Sequence, residues 1–135
     1  MPFVLDCSVT MAWMFRDEAT DRTEALRDAL VTELAVVPEL WPIEVANVLL
    51  VATRRGRLAE DDWRRIFADL GALPIEVDPS TSNRALQILD LAHRHGISAY
   101  DAAYLELALR MQLPLATLDR KLAAACRSAG VAVVT

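Results

Sequence analysis

The 135-residue chain has only two cysteines, Cys7 and Cys126, and only two histidines, His93 and His95. A disulfide framework needs more of the first, and a zinc site needs Cys and His at ligand spacing, which these four residues do not show. Both cysteines read as small apolar core residues, and the histidines, beside Gly96 in a basic run, as surface or helix-end residues. Glycine is scarce as well, with four in the whole chain. No glycine loop is present to cradle phosphates and no nucleophile elbow, which excludes nucleotide hydrolases and serine hydrolases of those types. Long hydrophobic runs are missing too. The longest uncharged apolar stretch, Val45 to Ala52, contains Asn47 and falls far short of the roughly 20 residues that cross a bilayer. The opening Met1-Pro2-Phe3-Val4-Leu5-Asp6 lacks a basic region and meets an acid after three apolar residues, so it does not read as a signal peptide. The sequence therefore predicts a soluble, cytoplasmic protein. A basic balance is also absent, since the net charge is −5, whereas phosphate binding normally calls for a basic surface. Four of the acids are the ones singled out below, and without them the chain is close to neutral. Acidity alone does not exclude a nucleic acid.

What is present is 54% hydrophobic and 24% charged residues, ample for one packed domain over 1–135. No internal repeat, low-complexity tract or flexible linker divides it. Short β-prone runs at Phe3-Val4-Leu5, Ala35-Val36-Val37, Ile75-Glu76-Val77, Leu115-Ala116-Thr117 and Val131 to Val134 alternate with helical patterns. The helices are expected near 8–16, 20–34, 41–55, 59–71, 80–95, 99–112 and 119–129. That alternation predicts an α/β fold with a central parallel sheet of about five strands and about seven helices flanking it. Gly56, Gly96 and Gly130 each follow basic residues, as expected just beyond helix ends.

Four acids stand out by position. Asp6 follows the first strand, with Ser8 expected to cap the helix beginning there. Asp119 follows the fourth strand and opens the last helix. Both should lie at carboxyl ends of parallel strands, the edge where open α/β sheets bind ligands, although an aspartate at either place also suits simple helix capping. Glu44 and Asp101 are harder to explain by capping. Glu44 sits in Trp41-Pro42-Ile43-Glu44-Val45-Ala46-Asn47-Val48 and Asp101 in Ser98-Ala99-Tyr100-Asp101-Ala102-Ala103-Tyr104, and burying a lone carboxylate in such apolar company is expensive. A divalent cation would compensate both. Gathered carboxylates repel unless cations lie between them, and an all-oxygen donor set favours Mg²⁺ or Mn²⁺ over zinc. The aromatic residues, Trp13, Trp41 and Trp63 among them, read mostly as core.

The strings Val4-Leu5-Asp6-Cys7-Ser8, Pro42-Ile43-Glu44-Val45-Ala46-Asn47, Ser98-Ala99-Tyr100-Asp101-Ala102-Ala103-Tyr104 and Ala116-Thr117-Leu118-Asp119-Arg120-Lys121 place the acids 38, 57 and 18 residues apart. In this order and spacing the chain resembles the PIN domain, and within it the VapC-type toxins of bacterial toxin–antitoxin pairs. The resemblance implies a metal-dependent ribonuclease with Asp6, Glu44, Asp101 and Asp119 as catalytic and metal-holding acids, and Ser8 and Thr117 as hydroxyls beside them. It further implies a PIN-like fold, a homodimer and a cognate antitoxin that covers the groove. RNA grip is expected from Arg54, Arg55 and Arg57, with weaker contributions from Arg64, Arg65, Arg120 and Lys121. Two rivals are a degenerate PIN fold that only binds RNA or a partner, and a haloacid-dehalogenase-type phosphatase. The first would be expected to have lost an acid, and none is lost. The second needs Asp-x-Asp-x-Thr, where this chain has Asp6-Cys7-Ser8-Val9-Thr10.

Overall fold

The computed structural model describes residues 1–134. Five parallel strands form one sheet: β1 (Phe3–Leu5), β2 (Ala35–Pro38), β3 (Ile75–Asp78), β4 (Leu115–Ala116) and β5 (Val133–Val134), in the order β3-β2-β1-β4-β5. β1 is the centre strand and is fully buried, as an uninterrupted Phe-Val-Leu run requires when both faces of a parallel sheet are covered. Val4 is opposite Val36 on one side and Leu115 on the other. The chain leaves β1 for β2 and β3 on one side, then crosses back to β4 and β5 on the other. The reversal of strand order lies between β1 and β4, so the crevice beyond their carboxyl ends is the topological switch point, where α/β sheets bind ligands.

Seven α-helices join the strands: α1 (Cys7–Met14), α2 (Asp21–Ala29), α3 (Trp41–Arg54), α4 (Asp62–Gly71), α5 (Ala85–His95), α6 (Ala99–Met111) and α7 (Arg120–Ala129). None is long and apolar enough to cross a membrane. α6 packs against β1, β2 and β4 and is buried without a break from Ala102 to Ala108. α1 packs against α2 and α3. The core runs through Val4, Leu5, Val37, Leu49, Tyr104, Leu105, Leu115 and Leu122. Cys7 and Cys126 belong to it as free thiols. Trp41 is buried and donates its indole N–H to Thr10 Oγ1 at 3.1 Å.

Several boundaries differ from the expected ones. α2 stops at Ala29 rather than 34, because β-branched Val31 and Thr32 are poor helix formers and Leu30 turns into the core. α4 begins at Asp62 rather than 59, and the Asp62 carboxylate accepts from the Ala59 N–H at 3.3 Å, holding the preceding residues in a turn. The segment expected to be helical from 80 opens as a 3₁₀ turn, Thr81–Arg84, before α5. α1 spans Cys7–Met14, so Ser8 lies inside it and does not cap it; Asp6 holds the N-cap position instead.

Candidate active site

Asp6 is 5% exposed at the end of the central strand. Its backbone places it at the N-cap of α1, yet its side chain makes no cap hydrogen bond of ordinary geometry. The carboxylate turns instead toward β4. Oδ2 accepts the Ser8 hydroxyl at 2.6 Å and the Thr117 hydroxyl at 2.8 Å. Each hydroxyl is fixed in turn: Ser8 Oγ accepts the Leu118 N–H at 2.9 Å, and Thr117 Oγ1 accepts the Asp119 N–H at 3.0 Å. These bonds stitch the end of β1 to the loop after β4 across the switch point. Both hydroxyls expected beside Asp6 are therefore there, and Ser8 serves the carboxylate rather than the helix end. With Ser8 a donor to Asp6, the position where a dehalogenase-type phosphatase carries its second acid offers no proton donor of that kind.

Burial pushes the Asp6 carboxyl above its ordinary range, against the lowering effect of the Ser8 and Thr117 hydroxyls and the nearby Ser8 and Cys7 N–H groups. Glu44, in the first turn of α3, is raised by burial and, less strongly, by the negative charges of Asp6 and Asp101. Asp101, in the first turn of α6, is raised by burial, then by Asp119 and Asp6. Glu44 thus senses Asp6 and Asp101, and Asp101 senses Asp119. Four acids spread over 114 residues of sequence act on one another electrostatically. Asp119 differs in kind, being exposed and capping α7 through Oδ1, which accepts the Leu122 N–H at 2.9 Å.

Two further residues complete the arrangement. Tyr104, fully buried and one turn after Asp101 on α6, donates its hydroxyl to Glu44 Oε1 at 2.6 Å. The 101/104 spacing puts both on one helix face, the signal by which its role was findable. Ser98 caps α6, its hydroxyl accepting the Asp101 N–H at 3.1 Å.

Among the described residues no three His, Cys, Asp or Glu side chains are placed so that together they could hold a metal ion. The donor set still fits one class of ion. It is all oxygen, anionic and open, which suits Mg²⁺ or Mn²⁺ held by one or two carboxylates with water completing the shell.

The three arginines first expected to grip RNA, Arg54, Arg55 and Arg57, belong to the far end of α3 and the turn after it. Arg54 and Arg55 are exposed at the far end of α3, ten residues past Glu44, about 15 Å along the helix axis at 1.5 Å per residue. Arg57 is committed to other groups: it bonds Asp17 at 2.8 Å and Glu18 at 2.9 Å, and lies 4.2 Å over the Phe15 ring.

Residues 3–128 match the PIN domain family. The chain belongs to that family. This PIN domain is 34% identical over 125 residues to Ribonuclease VapC3 of Pyrobaculum aerophilum, covering 91% of this chain and 93% of that one. In three dimensions it resembles PAE2754 from Pyrobaculum aerophilum, with a TM-score of 0.70 at 24% identity over 99% of this chain and 84% of the other. VapBC2 from Rickettsia felis, solved bound to a DNA fragment from their promoter, matches with a TM-score of 0.66 at 11% identity over 98% and 97%. The four acids and both hydroxyls of this PIN domain fall within the matched span.

Proposed function

We propose that this PIN domain is a divalent-metal-dependent endoribonuclease acting as the toxin of a toxin–antitoxin pair. The observation that carries the reading is the electrostatic meeting of four acids at the switch point: the charges of Asp6 and Asp101 raise the proton affinity of Glu44, and those of Asp119 and Asp6 raise that of Asp101. The ribonuclease name of the 34% identical relative supports RNA as the substrate. Structural likeness to VapBC2 supports a cognate antitoxin.

Asp6, Asp101 and Asp119 would hold Mg²⁺ or Mn²⁺, directly or through water, and Glu44 would be a further ligand or the group that orients the attacking water. A divalent ion bound there neutralises charge on the scissile phosphate and acidifies water. The chain supplies the rest. Ser8 and Thr117 fix the rotamer of Asp6, and Tyr104 fixes Glu44 with an oxygen left to face the attacking water. As water adds to phosphorus and the P–O ester bond breaks, Glu44 takes the water's proton and returns it to solvent, and the departing oxygen takes a proton from solvent, leaving a phosphate monoester and a hydroxyl. No side-chain nucleophile takes part. Arg54 and Arg55 serve as distal contacts for a strand long enough to reach the end of α3, and Arg57 braces the α3–α4 turn. A second copy docks on α5, where Leu86 and Leu89, three residues apart, are 75% and 61% exposed. The pair works in the cytoplasm.

The test is incubation of purified protein with a pool of random-sequence single-stranded RNA. Cleavage is expected with Mg²⁺ or Mn²⁺, is lost in EDTA, and returns on adding excess Mn²⁺. Cleavage that survives chelation contradicts the reading.

A further inference from the structure

Between the α5–α6 turn and α7, the elements that lead into Asp101 and Asp119, lies an open groove of about 380 Å³, within the size range of ligand sites. One wall is the α5–α6 turn, Arg94 to Ile97; the other is the face of α7 formed by Lys121, Ala124, Ala125 and Ser128. Along the chain both walls lead to the acids. Lys121 stands two residues after Asp119. The turn leads through Ser98, whose hydroxyl holds the backbone of Asp101.

The turn is rigid for a reason legible in its backbone. Gly96 closes α5 in the left-handed conformation at φ 65°, and both its N–H and that of Ile97 bond to the Ala92 carbonyl. Arg94 and His95 are therefore held at a fixed place. Lys121 is exposed and has no ion-pair partner among the described residues. Arg94 bonds Asp90 at 2.7 Å, but both side chains are mostly exposed, and such a surface pair is weak, so a phosphate competes with it readily. The floor between the cations is Ile97, Ala124 and Ala125, small or apolar, which suits a sugar or base face rather than a second charge.

We propose that this groove is the track of the RNA strand next to the scissile bond, with Arg94 and Lys121 contacting its phosphates. The inference rests on the ribonuclease reading and adds where the substrate lies. It moves the main grip from the far end of α3 to the α5–α6 turn and α7, the elements that carry the chain into Asp101 and Asp119.

The experiment uses the full chain in two arms. In the first, binding of fluorescent random-sequence single-stranded RNA is followed against salt in an Asp6→Asn background in Mg²⁺. Each lost phosphate contact should flatten the slope of log affinity against log salt by roughly 0.7. Arg94→Ala with Lys121→Ala should flatten it by about 1.4, and Lys121→Arg should restore half of that loss. Arg127→Ala, exposed at the other end of α7 and outside the groove lining, should leave it alone. In the second arm, cleavage by the otherwise wild-type chain should show KM raised several-fold, and by more than kcat falls. No cleavage by wild type in Mn²⁺ would overturn the ribonuclease reading itself. Unchanged salt slopes and KM in a protein that does cleave would overturn the groove alone.

Discussion

Burial pushes the Cys7 thiol up to about 12, with Glu44 and Asp6 adding to it, and the Cys126 thiol up to about 11. The thiolate is the reactive form, so neither cysteine should react with a disulfide reagent at pH 8 until the protein is unfolded; rapid labelling of native protein would show that the core around β1 is open. Tyr104→Phe removes the hydrogen bond that holds the Glu44 carboxyl down against its burial. The acid limb of the pH–rate profile should then move to higher pH, and the rate should fall roughly tenfold for the ~1.5 kcal/mol of a hydrogen bond to a charged group. An unmoved limb would place Glu44 outside the reaction. At this scale the sequence singled out four acids but not how each side chain is held. Asp6 and Asp119 occupy equivalent places after their strands, yet only Asp119 caps its helix through its side chain. The difference comes from Ser8 and Thr117, which turn Asp6 toward the crevice, and a contact 111 residues away has no local signature.

Helices α3, α5, α6 and α7 were legible because punctuation marks them: Pro42 near the start of α3, Gly96 and Gly130 as left-handed caps, and Pro114 after α6. α6 ends without glycine, on Gln112 at φ 56°. Relieving the strain of a side chain in that region should outweigh the added flexibility of glycine, so Gln112→Gly should stabilise by about 0.5 kcal/mol in denaturant melts, and a loss of stability would contradict the cap geometry. The tie between α6 and β3 had no sequence signal. Arg110 bonds Glu106 one turn back at 3.0 Å and Asp78 at 2.7 Å, and both carboxylates are nearly buried. Arg110→Ala leaves them unpaired and should cost about 3 kcal/mol, whereas Arg94→Ala, which breaks a surface pair, should cost under ~0.5 kcal/mol. Equal costs would mean the Arg110 network is effectively solvated.

The strand alternation gave the fold class, but not the order β3-β2-β1-β4-β5, because apolar runs of three residues look alike wherever they sit in a sheet. Order is what makes the site, since the reversal beside β1 gathers acids from four parts of the chain. Gathering them has a thermodynamic sign. Asp6, Glu44 and Asp101 all have proton affinities raised by folding, so without metal their contribution is most favourable below the ordinary carboxylate range and is lost as pH rises through their raised values. In EDTA, Asp101→Asn should melt higher than wild type at neutral pH, by roughly 4 °C per kcal/mol of repulsion relieved. The gap should close as pH falls toward 3.8, the ordinary aspartate value. Mn²⁺ at about a hundred times its dissociation constant should stabilise wild type by about 2.7 kcal/mol and the variant by less. A variant that melts lower in EDTA and keeps the full Mn²⁺ effect would make Asp101 a structural cap. The most direct test of the four-acid site is the initial rate of RNA cleavage in Mn²⁺ for wild type, Asp6→Asn, Glu44→Gln, Asp101→Asn, Asp119→Asn and, as a control outside the site, His93→Ala. The account predicts that all four amide variants lose cleavage by orders of magnitude while His93→Ala keeps it; an amide variant at the wild-type rate, or a histidine variant as damaged as the acids, would contradict it.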